Sequence, residues 1–198
     1  MIADHHMHSE FCPHAESAPR DYVERAIALG MSELGFAEHP PVPTGWRLRH
    51  DVTDDWAMAW DDVDDYVTVV RDLATEYAAE VRVVPGIEAD FLEDALDETA
   101  AALAEDPFDY VIASVHVVGD RFGCDHRELR DQVPAEEPYQ SPALPAQAHD
   151  LGIPLVFAAD AHRPADVGAV FQRTAAVARA AGYTETLLFA GTPAESLS

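Results

Sequence analysis

An early apolar stretch of the chain reads Asp4-His5-His6-Met7-His8, with the imidazoles of His6 and His8 two residues apart. In an extended strand, residues i and i+2 face the same way, so Asp4, His6 and His8 share one face and His5 takes the other. Two imidazoles on one strand face can grip a single metal ion through their ring nitrogens. Further groups of the same chemistry follow: His14, His39, Glu88, His116, Asp160 and His162. One histidine in an apolar strand is ordinarily a satisfied core residue. Eight imidazoles and carboxylates, nearly all near expected strand ends, are better explained by a shared task.

Imidazoles mixed with carboxylates suit Zn, Mn or Fe, rather than Ca or Mg alone. Glu88 and Asp160 each have two oxygens to share and are candidates to bridge two ions. Two ions about 3.5–4 Å apart hold a bridging hydroxide and clamp a phosphoryl oxygen. Their charge also neutralises what develops on phosphorus, usually the largest contribution to catalysis of phosphoryl transfer. Arg163, beside His162, is placed either to orient a phosphate by bidentate hydrogen bonds or to sit as a surface residue at a helix start.

The elements that must position these groups alternate. Strands are expected over residues 2–8, 34–38, 81–89 (interrupted at Pro85-Gly86), 110–115 and 155–159, with a last one over 185–190. Helices are expected over the stretch from a Ser17 cap to Gly30, then over 61–80, 93–105, 142–151 and 164–181. The residues from Pro40 to about Trp60, with Trp46, Arg47 and Trp56, form a connection of the length typical of lids or binding loops. No convincing strand is read between residues 117 and 140. Strand–helix alternation implies an α/β fold of parallel βαβ units. In such folds chemistry gathers at the C-terminal strand ends, where His8, His39, Glu88, His116 and Asp160 all fall.

At 198 residues the chain suits a single domain, 1–198, with a full core. Its formal net charge is −25, from 12 basic and 37 acidic residues, and it has no lysine. That acidic, halophile-like balance repels nucleic acid and anionic membranes. Cys12 and Cys124 make no disulfide framework, and no apolar run reaches the ~20 residues of a membrane span. A cytoplasmic protein with reduced thiols is the expectation.

The segments DHHMHSEFCPHA, GFAEHPP, GIEADF, DYVIASVH and AADAHRPADVG, in this order, resemble the polymerase-and-histidinol-phosphatase (PHP) superfamily, in its histidinol-phosphatase branch. The resemblance runs over nearly the whole chain. It implies a distorted (β/α)7 barrel, here shortened or incomplete, that holds two or three divalent metal ions. His6, His8, Glu88 and Asp160 would hold the first ion. Glu88 would bridge to a second, bound also by His116, and His14, His39 and His162 would hold a third. Glu88, Asp160 and His162 would be catalytic and Arg163 substrate-binding. The reaction implied is hydrolysis of a small phosphorylated substrate, L-histidinol phosphate, to L-histidinol and phosphate, a step of histidine biosynthesis. In one respect the chain departs from the family pattern. A further strand histidine expected after the SVH segment has no counterpart in the settings of His126 or His149, and the chain is short between His116 and Pro142, as if by an internal deletion. Exposed sheet edges left by missing strands would favour a homodimer. Two other readings stay open: a metal-binding remnant without turnover, and a phosphoesterase acting on nucleotides or oligonucleotides.

Overall fold

The computed structural model of the chain describes residues 3–50, 56–105, 108–118, 121–122, 143–169, 171–189 and 195–196. Three parallel strands form its centre: β1 (Glu33–Glu38), β2 (Arg82–Asp90) and β3 (Tyr110–Ser114), hydrogen-bonded in the order β1-β2-β3. The register pairs Phe36 with Pro85 and Glu88 with Ile112. Pro85-Gly86, expected to interrupt its strand, lies inside β2.

Residues 3–8 run beside β1 as an extended segment, joined to it by a parallel bridge at Asp4–Leu34. On its other side a bridge at Met7–Ala161 joins it to the segment that carries Asp160. Both segments were expected as strands. They bond to their neighbours like strands, with Gly35 N–H donating to Asp4 O and His8 N–H to Ala161 O. The ladder between residues 3–8 and β1 is broken at its middle by a side chain. The Tyr110 hydroxyl lies 2.9 Å from His5 O and 2.8 Å from Phe36 O, taking the place of a backbone partner. The Asp4 carboxylate likewise takes the backbone N–H groups of Ala159 and Gly168 at 2.9 Å each. Burial is the largest influence on that carboxyl and raises its pKa to about 6. Among the described residues the sheet is an open parallel arc and does not close into a barrel.

Helices cover the outer face of the arc. Helix α1 (Pro19–Ala28) starts with Pro19, whose fixed φ suits the first turn, and its cap is Ala18, not the expected Ser17. Gly30 follows at φ 68° and ends it. Helix α2 (Thr44–His50) lies within the long connection after β1, so part of that connection is helical. Helix α3 (Val63–Glu76) buries Val63, Tyr66, Val67, Val70 and Leu73, the stripe its spacing predicts. These side chains join Tyr22, Leu34, Phe36, Val83 and Ile87 in the main core. Trp46 is buried in a smaller cluster with Val42, Ala57, Leu92 and Ala95, so the connection after β1 is packed down over the end of β2.

Helix α4 (Leu96–Glu105) precedes β3, and a short antiparallel pair, β4 (Val117–Val118) and β5 (Arg121–Phe122), follows it. That pair falls where no strand was expected. Helices α5 (Ala143–Asp150) and α6 (Phe171–Ala180) flank the segment that delivers Asp160. The last expected strand is reduced to β6 (Glu185–Thr186), paired antiparallel with β7 (Glu195–Ser196). No helix among the described residues is long and apolar enough to cross a membrane. Cys124 and His126 lie outside the described residues.

The end of the arc away from the strand C-termini is plugged by Tyr110. A Cβ added at Gly86 would lie 2.2 Å from its ring, and one at Gly35 would lie 2.4 Å from its hydroxyl. The phenol fits only because both strands lack a side chain there. Phe189 stacks on it with centroids 4.2 Å apart. Below, Glu33 accepts from His5 Nε2 at 2.8 Å and from Arg82 at 2.6 Å. His5 thus faces away from His6 and His8, as strand alternation requires.

Candidate metal centre

At the opposite end, the strand C-termini bring together groups far apart in sequence. His6 Nε2 lies 2.9 Å from Glu88 Oε2 and 3.6 Å from Asp160 Oδ1. His8 Nε2 lies 3.2 Å from each of the same two oxygens. One ligand atom from each of His6, His8, Glu88 and Asp160 fits within 4.8 Å of all the others. Three of the four are buried, and Asp160 alone reaches solvent, with 46% of its side chain exposed. Its backbone is left-handed, φ 52°, a conformation Asp tolerates better than most residues and one that turns its carboxylate back toward the histidines.

A second group adjoins the first. His14 and His162 gather with His8, ligand atoms again within 4.8 Å. The Nδ1 of His162 is 2.9 Å from the Asp160 carbonyl, which accepts its proton and leaves Nε2 as the ring's acceptor atom. His39 gathers instead with Glu88 and His116. All eight residues singled out in the sequence as ligands therefore converge on one rim. Arg163 stands at the margin, 73% exposed, with its guanidinium donating to Asp166 at 3.0 and 3.2 Å.

Burial lowers the His8 pKa, but the surrounding Asp160, Cys12, Glu38 and Glu88 outweigh it and push it well above the ordinary value, so a cation would have to displace that proton. The other groups already suit ligation. Burial pushes the Glu88 carboxyl up, but hydrogen bonds from His6 and His8 outweigh it and hold the group well below the usual carboxylate range. Burial and the bond from His8 act on Asp160 in the same two senses, with the same net lowering. His14 is lowered to about 4, first by desolvation and then by the charges of His8 and His162. Burial and the charge of His8 also take His39 well below its ordinary value. Both rings are therefore neutral near pH 7, the form with a lone pair to give.

Three buried groups behind the ligands were not singled out as site residues. Glu38 accepts from Ser9 N–H at 2.8 Å and Ser9 Oγ–H at 2.5 Å, and its other oxygen lies 3.7 Å from His8 Nδ1. Asp90 lies between His39 and His116. Cys12 accepts from His39 N–H at 3.2 Å, and burial followed by the charge of Glu38 pushes its thiol up to about 12. The Cys12 thiol is thus held neutral behind the ligands. Signals for the two acids existed: Glu38 precedes a ligand, and Asp90 shares a strand face with Glu88.

The structure is a parallel α/β arc that gathers a histidine–carboxylate cluster, a donor set suited to divalent metals, at its C-terminal rim. The PHP domain matches residues 4–163, and the chain belongs to that family. Over 128 residues it is 31% identical to a Deinococcus radiodurans protein named "Probable histidinol-phosphatase", covering 65% of this chain and 46% of the relative. The histidinol-phosphatase of Bacillus subtilis is 32% identical over 116 residues, 57% of this chain and 43% of the relative. The chain thus spans less than half the length of the curated relatives it matches. Among solved structures, it superposes with a TM-score of 0.75 at 19% identity on the Lactococcus lactis histidinol phosphate phosphatase, covering 98% of this chain and 99% of that one. That enzyme was crystallised with zinc, L-histidinol and phosphate. A Listeria monocytogenes structure matches with a TM-score of 0.72 at 19% identity, over 86% of this chain and 99% of that one.

Proposed function

We propose that this chain is a divalent-metal-dependent phosphomonoesterase, built on an incomplete (β/α)7 barrel, that hydrolyses L-histidinol phosphate to L-histidinol and phosphate. The observation that carries the proposal is the convergence of His6, His8, Glu88 and Asp160 within 4.8 Å. Two imidazole nitrogens and two carboxylate oxygens are a donor set that Zn, Mn and Fe accept, so the residues fit the group. His6, His8, Glu88 and Asp160 would hold one cation, and His14 and His162 would join His8 at another. When bound, such ions supply Lewis acidity toward a phosphoryl oxygen and a nucleophile at neutral pH.

The chain's own groups set the direction of approach. Among the described residues the tetrad is closed below by buried side chains and opens beside Asp160; of the adjoining cluster, His14 is exposed and His162 partly so, at 21%. A phosphate monoester would enter there. Asp160 and Glu88 would orient the reacting groups, and His162, its Nδ1 proton held by a carbonyl, would keep Nε2 toward the phosphate. Arg163 would leave Asp166 to meet the phosphate from the margin. The names of the relatives support histidinol phosphate as substrate. A net charge of −25 weighs against long polyanions such as oligonucleotides.

The test is phosphate release by the purified protein loaded with Zn, Mn or Fe. Release from histidinol phosphate should exceed release from nucleotides, stop with a chelator and return with added metal. A protein that binds these ions and frees no phosphate from histidinol phosphate or a chromogenic monoester would be a metal-binding remnant, and the proposal would be withdrawn.

A further inference from the structure

Residues 187–189 cross the base of the arc from one edge to the other. At one edge, Leu187 N–H donates to Leu155 O at 2.7 Å, where the segment that delivers Asp160 begins. At the other edge, the Phe189 ring stacks on Tyr110, the first residue of β3, with the planes 20° apart. Between the edges, Phe189 meets each remaining segment. Its ring centroid lies 4.0 Å from that of His5. Its N–H donates to Glu33 Oε1 at 2.8 Å, and its carbonyl accepts from Arg82. Glu33 and Arg82 are the first residues of β1 and β2. Glu33 is buried, and the oxygen that takes the Phe189 N–H also accepts from His5 Nε2.

The five segments tied at this end carry the metal cluster at the other. His39 follows Glu33 by six residues, Glu88 follows Arg82 by six, and His116 follows Tyr110 by six. Asp160 follows Leu155 by five, and His5 immediately precedes His6. Extended backbone rises about 3.3 Å per residue, so the base anchors set the heights at which the ligands arrive. In a closed barrel a continuous ladder fixes that alignment. Here the described sheet is open, and its two edges are joined through one tripeptide. We propose that residues 187–189 form a strap, anchored by Phe189, that is the positioning element of the metal centre. It holds the five segments in the register that brings their ligands together, and its effect passes along the strands from the opposite end. This inference rests on the metal-dependent reading above and identifies what aligns that site.

The experiment measures the Zn affinity of folded, metal-free protein by competition with a chromogenic chelator, beside its melting temperature. Phe189→Ala removes both ring contacts of the strap, and Phe189→Tyr keeps them. Val70→Ala, a truncation of a buried residue on α3 away from the strap, controls for loss of stability alone. Phe189→Ala should weaken Zn binding about 2–30-fold, the range for a change carried along a packed network. Phe189→Tyr should restore wild-type affinity. Val70→Ala should lower the melting temperature and leave affinity unchanged. If Phe189→Ala does not fold without metal, Arg82→Met gives the same comparison: it drops the grip on the Phe189 carbonyl and leaves Glu33 bonded to His5. Wild-type Zn affinity in the folded strap variant, or an equal loss in Val70→Ala, would overturn the positioning role and leave the proposed function standing. A wild-type protein that binds no divalent ion would remove both.

Discussion

His8 and Glu38 meet on the side of the imidazole turned away from the tetrad. Nδ1 of His8 lies 3.7 Å from Glu38 Oε2, while Nε2 lies 3.2 Å from both Glu88 and Asp160. Glu38 is itself anchored by the backbone and hydroxyl of Ser9. A buried carboxylate behind a ligand histidine holds the ring's orientation and makes its outer nitrogen more basic. Glu38→Gln keeps the shape and removes the charge. Its affinity for Zn should fall about 10–100-fold, measured by chelator competition, without loss of the fold. Wild-type affinity would reduce Glu38 to an anchor for Ser9.

Asp160 combines a left-handed backbone with the most exposed carboxylate of the tetrad. Asparagine tolerates that backbone equally well, so Asp160→Asn isolates the loss of charge from strain. We expect a melting temperature for the metal-free variant close to wild type, with metal binding and phosphate release both sharply reduced. Full activity in Asp160→Asn would remove this carboxylate from the metal centre.

The Tyr110 plug makes a prediction that needs no ligand. An added Cβ at Gly86 meets ring carbons, whereas one at Gly35 meets the hydroxyl first. Each single change to Ala should cost about 1–3 kcal/mol by overpacking, read as a lower melting temperature. Tyr110→Phe removes the obstructing oxygen, so it should rescue part of the loss in Gly35→Ala but none in Gly86→Ala. Strictly additive effects at both positions would mean that the phenol does not fill the space between the two strands.

Arg163 provides a kinetic test. Its pair with Asp166 is exposed, so solvent screens it and it adds little to stability. Arg163→Ala should therefore leave the melting temperature nearly unchanged. If the guanidinium binds the phosphate of the substrate, KM rises while kcat holds. An unaltered KM would confine Arg163 to the surface.

The core of this arrangement is legible in the amino-acid sequence. The i, i+2 spacing of His6 and His8 required a shared face, and the helical stripe from Val63 to Leu73 required a buried one. The position of Glu88 near the end of β2 followed from alternation, whereas Asp160 ends an extended segment joined to residues 3–8 by a single bridge. What was hidden depends on cross-strand proximity. Nothing local says that Asp90 would lie between His39 and His116, residues 51 positions back and 26 ahead by the numbering of the chain. Nor does local propensity reveal that a tyrosine hydroxyl would break the ladder beside β1, because Tyr110, Gly35 and Gly86 meet only after the sheet has formed. Carboxylates are abundant in this chain, so neither Glu38 nor Asp90 stands out from the surface acids in the sequence.

A base closed by one phenol has a corollary for descent. Loops at the far end can lengthen, shrink or be exchanged while the strands stay in step, since their spacing is fixed from below.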